Sequence, residues 1–396
     1  MPTKNGVLRS LVDQKVQEAA GNKRKGYALA AEKLDNLMKQ GKLEPKDFSF
    51  KQMYEELVEA PEDINDVVSI SEAVNSSAFP NVASKIIHKD IIDEYDLALG
   101  SVGNLVRRAD ATRSDEELVV GFEAGDTEPV LRRQGMAYEE TDFGEKDWKI
   151  KMADFGRIIS LTRETIFEDR TGEVLKRARD IGRSAGHQQQ KTIVQTIEGR
   201  PREAFEETTF AGAVYKGQVL SQAQLYSEDH SALDGQVNPN IIGSNALADW
   251  TNIDKVWQAF AQMVNEAGDK ISIVPKAILV PMALKATAFQ IMNSQVLGVT
   301  GNTDAKNIPL MNPLRDMGSL NVISSVFMNS NSDWFVGDFD KELLLLDVFK
   351  PETASQGTNS ELAFSNQIIS RFRFSYHYGI GHTDWRYIIK NQATAL

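Results

Sequence analysis

The chain has 396 residues, 41% of them hydrophobic and 25% charged, with a net charge of −12 and no cysteine. Such a composition belongs to a globular protein long enough for two or three compact units, and the missing thiols exclude disulfides, thiolate zinc sites, iron–sulfur clusters and a cysteine nucleophile. Residues 1–51 carry 11 Lys and Arg against 6 Asp and Glu, whereas the rest carries 33 against 50, so the acidic body gains nothing from counterion release, which argues against sequence reading or tight coating of DNA.

No apolar run reaches the length of about eighteen residues that a bilayer span needs, and MPTKNGVLRSLVDQKVQEAAGNKRKG lacks the apolar core of a signal peptide, which predicts a cytosolic product. Residues 3–60 read as helical. Leu8, Leu11, Val12 and Val16 share one face, as do Leu29, Leu34 and Leu37, with Gly21 and Gly41 as punctuation before Pro45 and Pro61. These stripes are thin, which predicts helices lying on a partner rather than forming a core. Lys23, Arg24 and Lys25 read as a solvated break between them. Residues 64–113 are mixed, with 86–99 as an extended arm or short helix.

From Leu118 the period becomes two. LVVGFEAGDTEPVLRRQGMAYEE predicts the ascending side of a hairpin, DFGE at 142–145 its turn, and Lys146 the start of the return. Trp148, Ile150 and Met152 then share one face, with Lys149 and Lys151 on the other. Past ADFG the parity flips to Phe155, Ile159 and Leu161, as a β-bulge near 154–156 would produce. A two-stranded ribbon is marginal in water, so its apolar face predicts a wall supplied by a second copy of the chain.

Val174, Ala178, Ile181, Ala185, Ile193 and Ile197 recur at helical spacing up to Gly199, with Pro201 beyond. The resulting rod of roughly 27 residues would be about 40 Å long. Residues 200–245 read as loop with short strands and 253–266 as a helix. ISIVPKAILVP at 271–281 holds a buried strand, 283–294 is a second helix, and 298–313 is a loop. LNVISSVFM, WFVGDF, ELLLLDVF and the terminal ISRFRFSYHYGIGHTDWRYII read as strands, so the fold class is α+β.

Catalytic patterns find little support. Neither GxxxxGK[ST] nor GxGxxG stands between a strand and a helix, and Ser244 in IIGSNAL lacks a GxSxG elbow. His377 falls on the opposite strand parity from His382 and Asp384, which argues against a metal site, and His187 beside three glutamines reads as a surface or interface residue. Glu139, Glu140, Asp142, Glu145 and Asp147 on a loop tip read as solubilising charge.

FGRIISLTRETIFED at 155–169, AILVPMALKATAFQIM at 277–292, SLNVISSVFMNSNSDWFVGDF at 319–339 and FRFSYHYGIGHTDWRYIIKN at 372–391, in that order, resemble the tailed-phage major capsid proteins of the Hong Kong 97 fold. The last two are most similar to Mu-like and gene-transfer-agent head subunits. The likeness covers about 65–391. It implies an N-terminal helical, scaffold-like segment at 1–66, an N-terminal arm at 67–117 and an E-loop hairpin at 118–163. A peripheral domain at 164–240 with a spine helix at 171–199 follows, then an axial domain at 241–368, and 369–396 returns as the final peripheral strand.

The resemblance further implies a non-enzymatic subunit that assembles into pentamers and hexamers of an icosahedral virion shell around double-stranded DNA, without sequence-specific contact and without a membrane. A portal and decoration or scaffolding proteins are the implied partners, the host cytoplasm is the place of assembly, and no cofactor or metal is implied. Intersubunit contacts are expected at Phe143, Trp148, Ile150, Met152, Arg157, Arg163 and Glu164. Lys146, Lys149 and Lys151 lie where some relatives cross-link, but read here as solvated. An encapsulin-like cargo shell and an unrelated soluble hydrolase are the alternative readings.

Overall fold

A computed structural model describes residues 7–19, 22–40, 42–43, 57, 79–124, 143–162, 173–200, 213–215, 218–219, 225–228, 230, 238–265, 268–294, 296–297, 310–312, 314, 320–357 and 368–394. Helices α1 (Val7–Glu18), α2 (Lys23–Lys39) and α3 (Phe79–Leu99) lead through a 3-10 turn to strands β1 (Arg107–Asp110), β2 (Glu116–Ala124), β3 (Phe143–Lys151) and β4 (Ala153–Thr162). The long α4 (Glu173–Ile197) precedes β5 (Ala213–Tyr215), β6 (Gln218–Val219), β7 (Ile241–Ile242) and α5 (Trp250–Gln262). Then come β8 (Ala277–Pro281), α6 (Lys285–Asn293), β9 (Val296–Leu297), β10 (Leu310–Met311), β11 (Asn321–Ser325) and β12 (Trp334–Gly337). A short α7 (Phe339–Glu342), β13 (Leu343–Gly357), β14 (Ile368–His382), a 3-10 turn and β15 (Ile388–Asn391) close the chain. The α+β class predicted from the changing hydrophobic period is the class observed.

Two compact units divide the chain: Met1–Leu99, Asp154–Gln189 and Phe349–His377 form the first, and Gly100–Ala153, Gln190–Val348 and Tyr378–Leu396 the second. In the first, α1 packs on α2 and α2 on α3. Gly26 permits the close α1–α2 approach, since a Cβ there would lie 2.6 Å from the Val16 Cα. Leu8, Leu11, Val12, Leu34 and Met38 are buried within the chain. This corrects the expectation that the thin stripes rest on another molecule, because a narrow stripe suffices when a third helix covers it. Residues 86–99, expected as an arm or short helix, belong to the 21-residue α3. Helix α4 meets α3 at Gly182, where a Cβ would lie 2.3 Å from the Ile91 carbonyl oxygen, and at Gly186, 2.5 Å from that of Tyr95. Ion pairs Arg179–Asp90 at 2.8 Å and Arg183–Glu94 at 3.1 Å flank the crossing.

The second unit is built on a sheet of order β11-β8-β12-β15-β7, with β8 parallel to β11 and antiparallel to β12. All five residues of β8 are buried, the pattern of a strand covered on both faces. Its core gathers Ile253, Val256, Phe260, Ile278, Trp334 and Ile389. Helix α5 begins at a capping box in which Asp249 accepts from the Thr251 amide. The last segment, expected as one peripheral strand, is two strands in two sheets: β14 neighbours β13 and β4, whereas β15 pairs with β12 in the five-stranded sheet. The break comes where the Asp384 side chain accepts from the Arg386 amide and caps a 3-10 turn.

The hairpin is real but differs from the expected one. Strands β2 and β3 pair from Glu116↔Lys151 to Ala124↔Phe143, so Phe143, Gly144 and Glu145 of the expected turn lie in the return strand, and the connecting residues fall outside the described ones. Strand β3 also pairs with β5, and β5 with β6, which makes a four-stranded sheet. The second copy invoked to steady a bare ribbon is therefore replaced in part by the chain's own residues 213–215 and 218–219. The expected bulge at 154–156 is a complete break at Met152, after which β4 joins the sheet of order β1-β13-β14-β4.

Candidate functional site

The residues expected at intersubunit contacts separate into groups. Ile150 is 1% exposed and packs on Leu344 and Leu346, with Met152 against the same cluster. Gly379 and Gly381 allow this seat, because a Cβ at either would come within 3.0 and 2.9 Å of the Ile150 side chain. Ile150 is therefore a core residue of its own chain, and this corrects its expected place on a neighbour. Phe143 and Trp148 lie on β3 opposite Ala124 and Val119. Arg163, Glu164 and most of the loop at 298–313 lie outside the described residues.

Arg157 stands exposed on β4 beside Ile158, 55% exposed, in an open groove of about 630 Å³ that also takes in Phe349, Arg373, Tyr376 and His377. Its floor is set by backbone approach, since a Cβ at Gly156 would lie 2.9 Å from the Phe374 carbonyl oxygen. Phe155 stacks on Tyr376 with ring centroids 5.5 Å apart, and Phe349, 58% exposed, lies 6.2 Å from the His377 ring. Exposed aliphatic and aromatic carbon edged by guanidinium groups is the chemistry of a protein-contact surface.

Sequence reasoning missed Glu342 and gave His382 no partner. Glu342 is fully buried, its Oε1 lies 2.7 Å from His382 Nδ1, and His382 Nε2 lies 2.9 Å from the Thr196 carbonyl oxygen. Burial raises the Glu342 carboxyl to about 7, with His382 opposing that rise. The only signal in the chain is a single acid ahead of the apolar LLLL run, easily read as a solvated strand start. Among the described residues no group of three or more His, Asp or Glu could hold a metal ion. Ser244 has φ 51° and its amide donates to the Thr394 carbonyl at 3.0 Å, which makes it a turn residue. No described helix is long and apolar enough to cross a membrane.

What this geometry offers is contact surface and sheet edges, the equipment of a structural protein. Residues 145–391, more than half of the chain, match the phage capsid protein family, and the chain belongs to that family. Its role is that of a subunit of a phage shell. Among solved structures it is similar to the capsid of a native GTA particle, with TM-score 0.48, 10% identity, and 75% of this chain and 91% of that one covered. The capsid of the Cyanophage P-SCSP1u gives TM-score 0.48 at 9% identity, over 74% and 87%. A virus-like particle from Pyrococcus furiosus gives 0.42 at 9%, over 78% and 99%. Comparison with curated proteins gives no match.

Proposed function

We propose that the chain is the major subunit of an icosahedral head of Hong Kong 97 type, assembling as pentamers and hexamers around double-stranded DNA held without sequence-specific contact. The observation that carries this reading is the family match, which begins within β3 and ends with β15 and so takes in the return strand of the finger, the spine helix α4 and the five-stranded sheet. Phe143, Trp148, Arg157, Arg163 and Glu164 supply intersubunit contacts, while Ile150 and Met152 anchor the base of the finger. A portal, decoration or scaffolding proteins and assembly in the host cytoplasm complete the reading.

Velocity sedimentation and negative-stain imaging of the purified protein test it. Closed particles are expected, and a persistent monomer overturns the assembly. Trp148→Ala combined with Arg157→Glu is expected to leave folded subunits with at least a tenfold lower yield of closed particles, since truncating an interface hot spot, most often a Trp, Tyr or Arg, costs about 2 kcal/mol or more. Unchanged yield would remove these residues from the interface.

A further inference from the structure

We propose that Glu342 and His382 form a one-proton latch that fastens the end of β14 to α7 and to the last turn of α4, holding at mildly acidic pH and loosening as the solution becomes alkaline. The proton count follows from geometry. The Thr196 carbonyl can only accept, so His382 Nε2 carries a hydrogen and donates it across 2.9 Å. The 2.7 Å contact between Nδ1 and Oε1 then needs one further proton. Whether that proton sits on the ring or on the carboxyl, the two groups share one between them. The adjoining backbone is stapled to the same helix: the Thr383 amide donates to the Glu342 carbonyl at 2.7 Å, and Thr383 Oγ1 donates to the Lys341 carbonyl at 2.7 Å.

Loss of the shared proton leaves a buried carboxylate facing the ring lone pair. The surroundings give that charge little relief. Asp384, next in the turn, opposes it, and its own partner is Arg386 at 3.3 Å. Glu198, beyond the end of α4, is paired with Arg200. Asp338, just ahead of α7, holds Lys276 at 2.9 Å and Lys341 at 3.8 Å. Tyr226 feels both Glu342 and Glu198, and its hydroxyl is held well above its ordinary value, first by burial. Glu342 Oε2 is buried with no hydrogen-bond partner, so a second proton placed there finds no acceptor either.

The direction of the pH effect follows from linkage. In the unfolded chain Glu and His titrate separately near about 4.3 and 6.5, so above about pH 6.5 that chain holds neither proton. In the folded chain burial keeps the Glu342 carboxyl protonated to about 7. Stability therefore falls as pH rises across that interval, and above it the deprotonated pair persists as a destabilising contact.

Glu342→Gln separates the latch from a merely structural contact, because the amide N–H donates to neutral His382 at any pH. On the full chain, the wild-type melting midpoint is expected to fall by about 3 °C more than that of E342Q between about pH 6 and pH 8.5. Parallel profiles overturn the proposal. Should E342Q fail to fold, exchange of the wild-type Thr383 amide decides: protection, corrected for intrinsic rate, is expected to drop about threefold over the same range, and constant protection overturns it. Both readouts concern the subunit and stand whether or not shells form.

Discussion

A single buried amide does much to specify the second unit. Asn245 is fully buried, and its Nδ2 donates to Asn391 Oδ1 at 2.8 Å and to the Asn252 carbonyl at 3.1 Å. Its Oδ1 accepts from Asn252 Nδ2 at 3.0 Å, and its carbonyl accepts from Trp334 Nε1 at 2.8 Å. The loop before α5 is thus tied to β15 and β12. Asn245→Ala leaves the fully buried Asn391 Oδ1 and the half-buried Asn252 Nδ2 short of partners, and each unpaired buried group costs about 1–3 kcal/mol. A loss of about 3 kcal/mol in urea unfolding is expected, and a change under 1 kcal/mol would show that the network is replaceable.

Among elements, the crossing of α3 and α4 sets propensity against packing. Ala in place of a mid-helix Gly gains about 1 kcal/mol of helix propensity, but the atoms a Gly182 Cβ would meet are backbone, at 2.3 Å from the Ile91 carbonyl oxygen. Backbone cannot swing aside as a side chain does, so the helices must separate, at about 1–3 kcal/mol or more. Gly182→Ala is therefore expected to lower the urea midpoint, and a higher midpoint would show that the crossing yields.

The same elements show what was legible in the chain. Period-two alternation located β2 and the return strand, and Gly199, at φ 68°, ended the spine helix within two residues of its predicted place. Pairing was not legible. That Phe143 lies opposite Ala124, or that Ala213 joins Trp148, depends on contacts far along the chain that no local pattern records. Likewise the alternation of 369–391 runs through a turn, because the Asp384 cap that splits it is a local hydrogen bond and not a change of period. Of the expected site residues, Arg157 could be read as exposed, whereas Ile150 could not be read as core: the wall that buries it comes from Leu344 and Leu346, almost two hundred residues later.

For the whole molecule the open question is what the basic N-terminal segment contributes to an acidic shell subunit. Its helices α1 and α2 bury Leu8, Leu11, Val12, Leu34 and Met38, and α2 packs on α3, where Val82, Ile86 and Ile87 are buried too. His88 on α3 is drawn below its usual value by burial first and then by Lys85, while Asp35 on α2 opposes. A disposable scaffold would leave the rest of the unit unchanged when removed. Deleting residues 1–43 instead releases the ordering entropy of the α1–α2 helix pair but uncovers the α3 face, and each large apolar side chain returned to water costs about 1.5–3 kcal/mol. With even two such residues exposed, the truncated chain is expected to lose about 3–6 kcal/mol, to bind a hydrophobic dye and to melt several degrees lower. If it instead melts with the full chain and binds no dye, the α1–α2 pair is an ornament on the unit, and its fate during assembly is free to differ from that of the body.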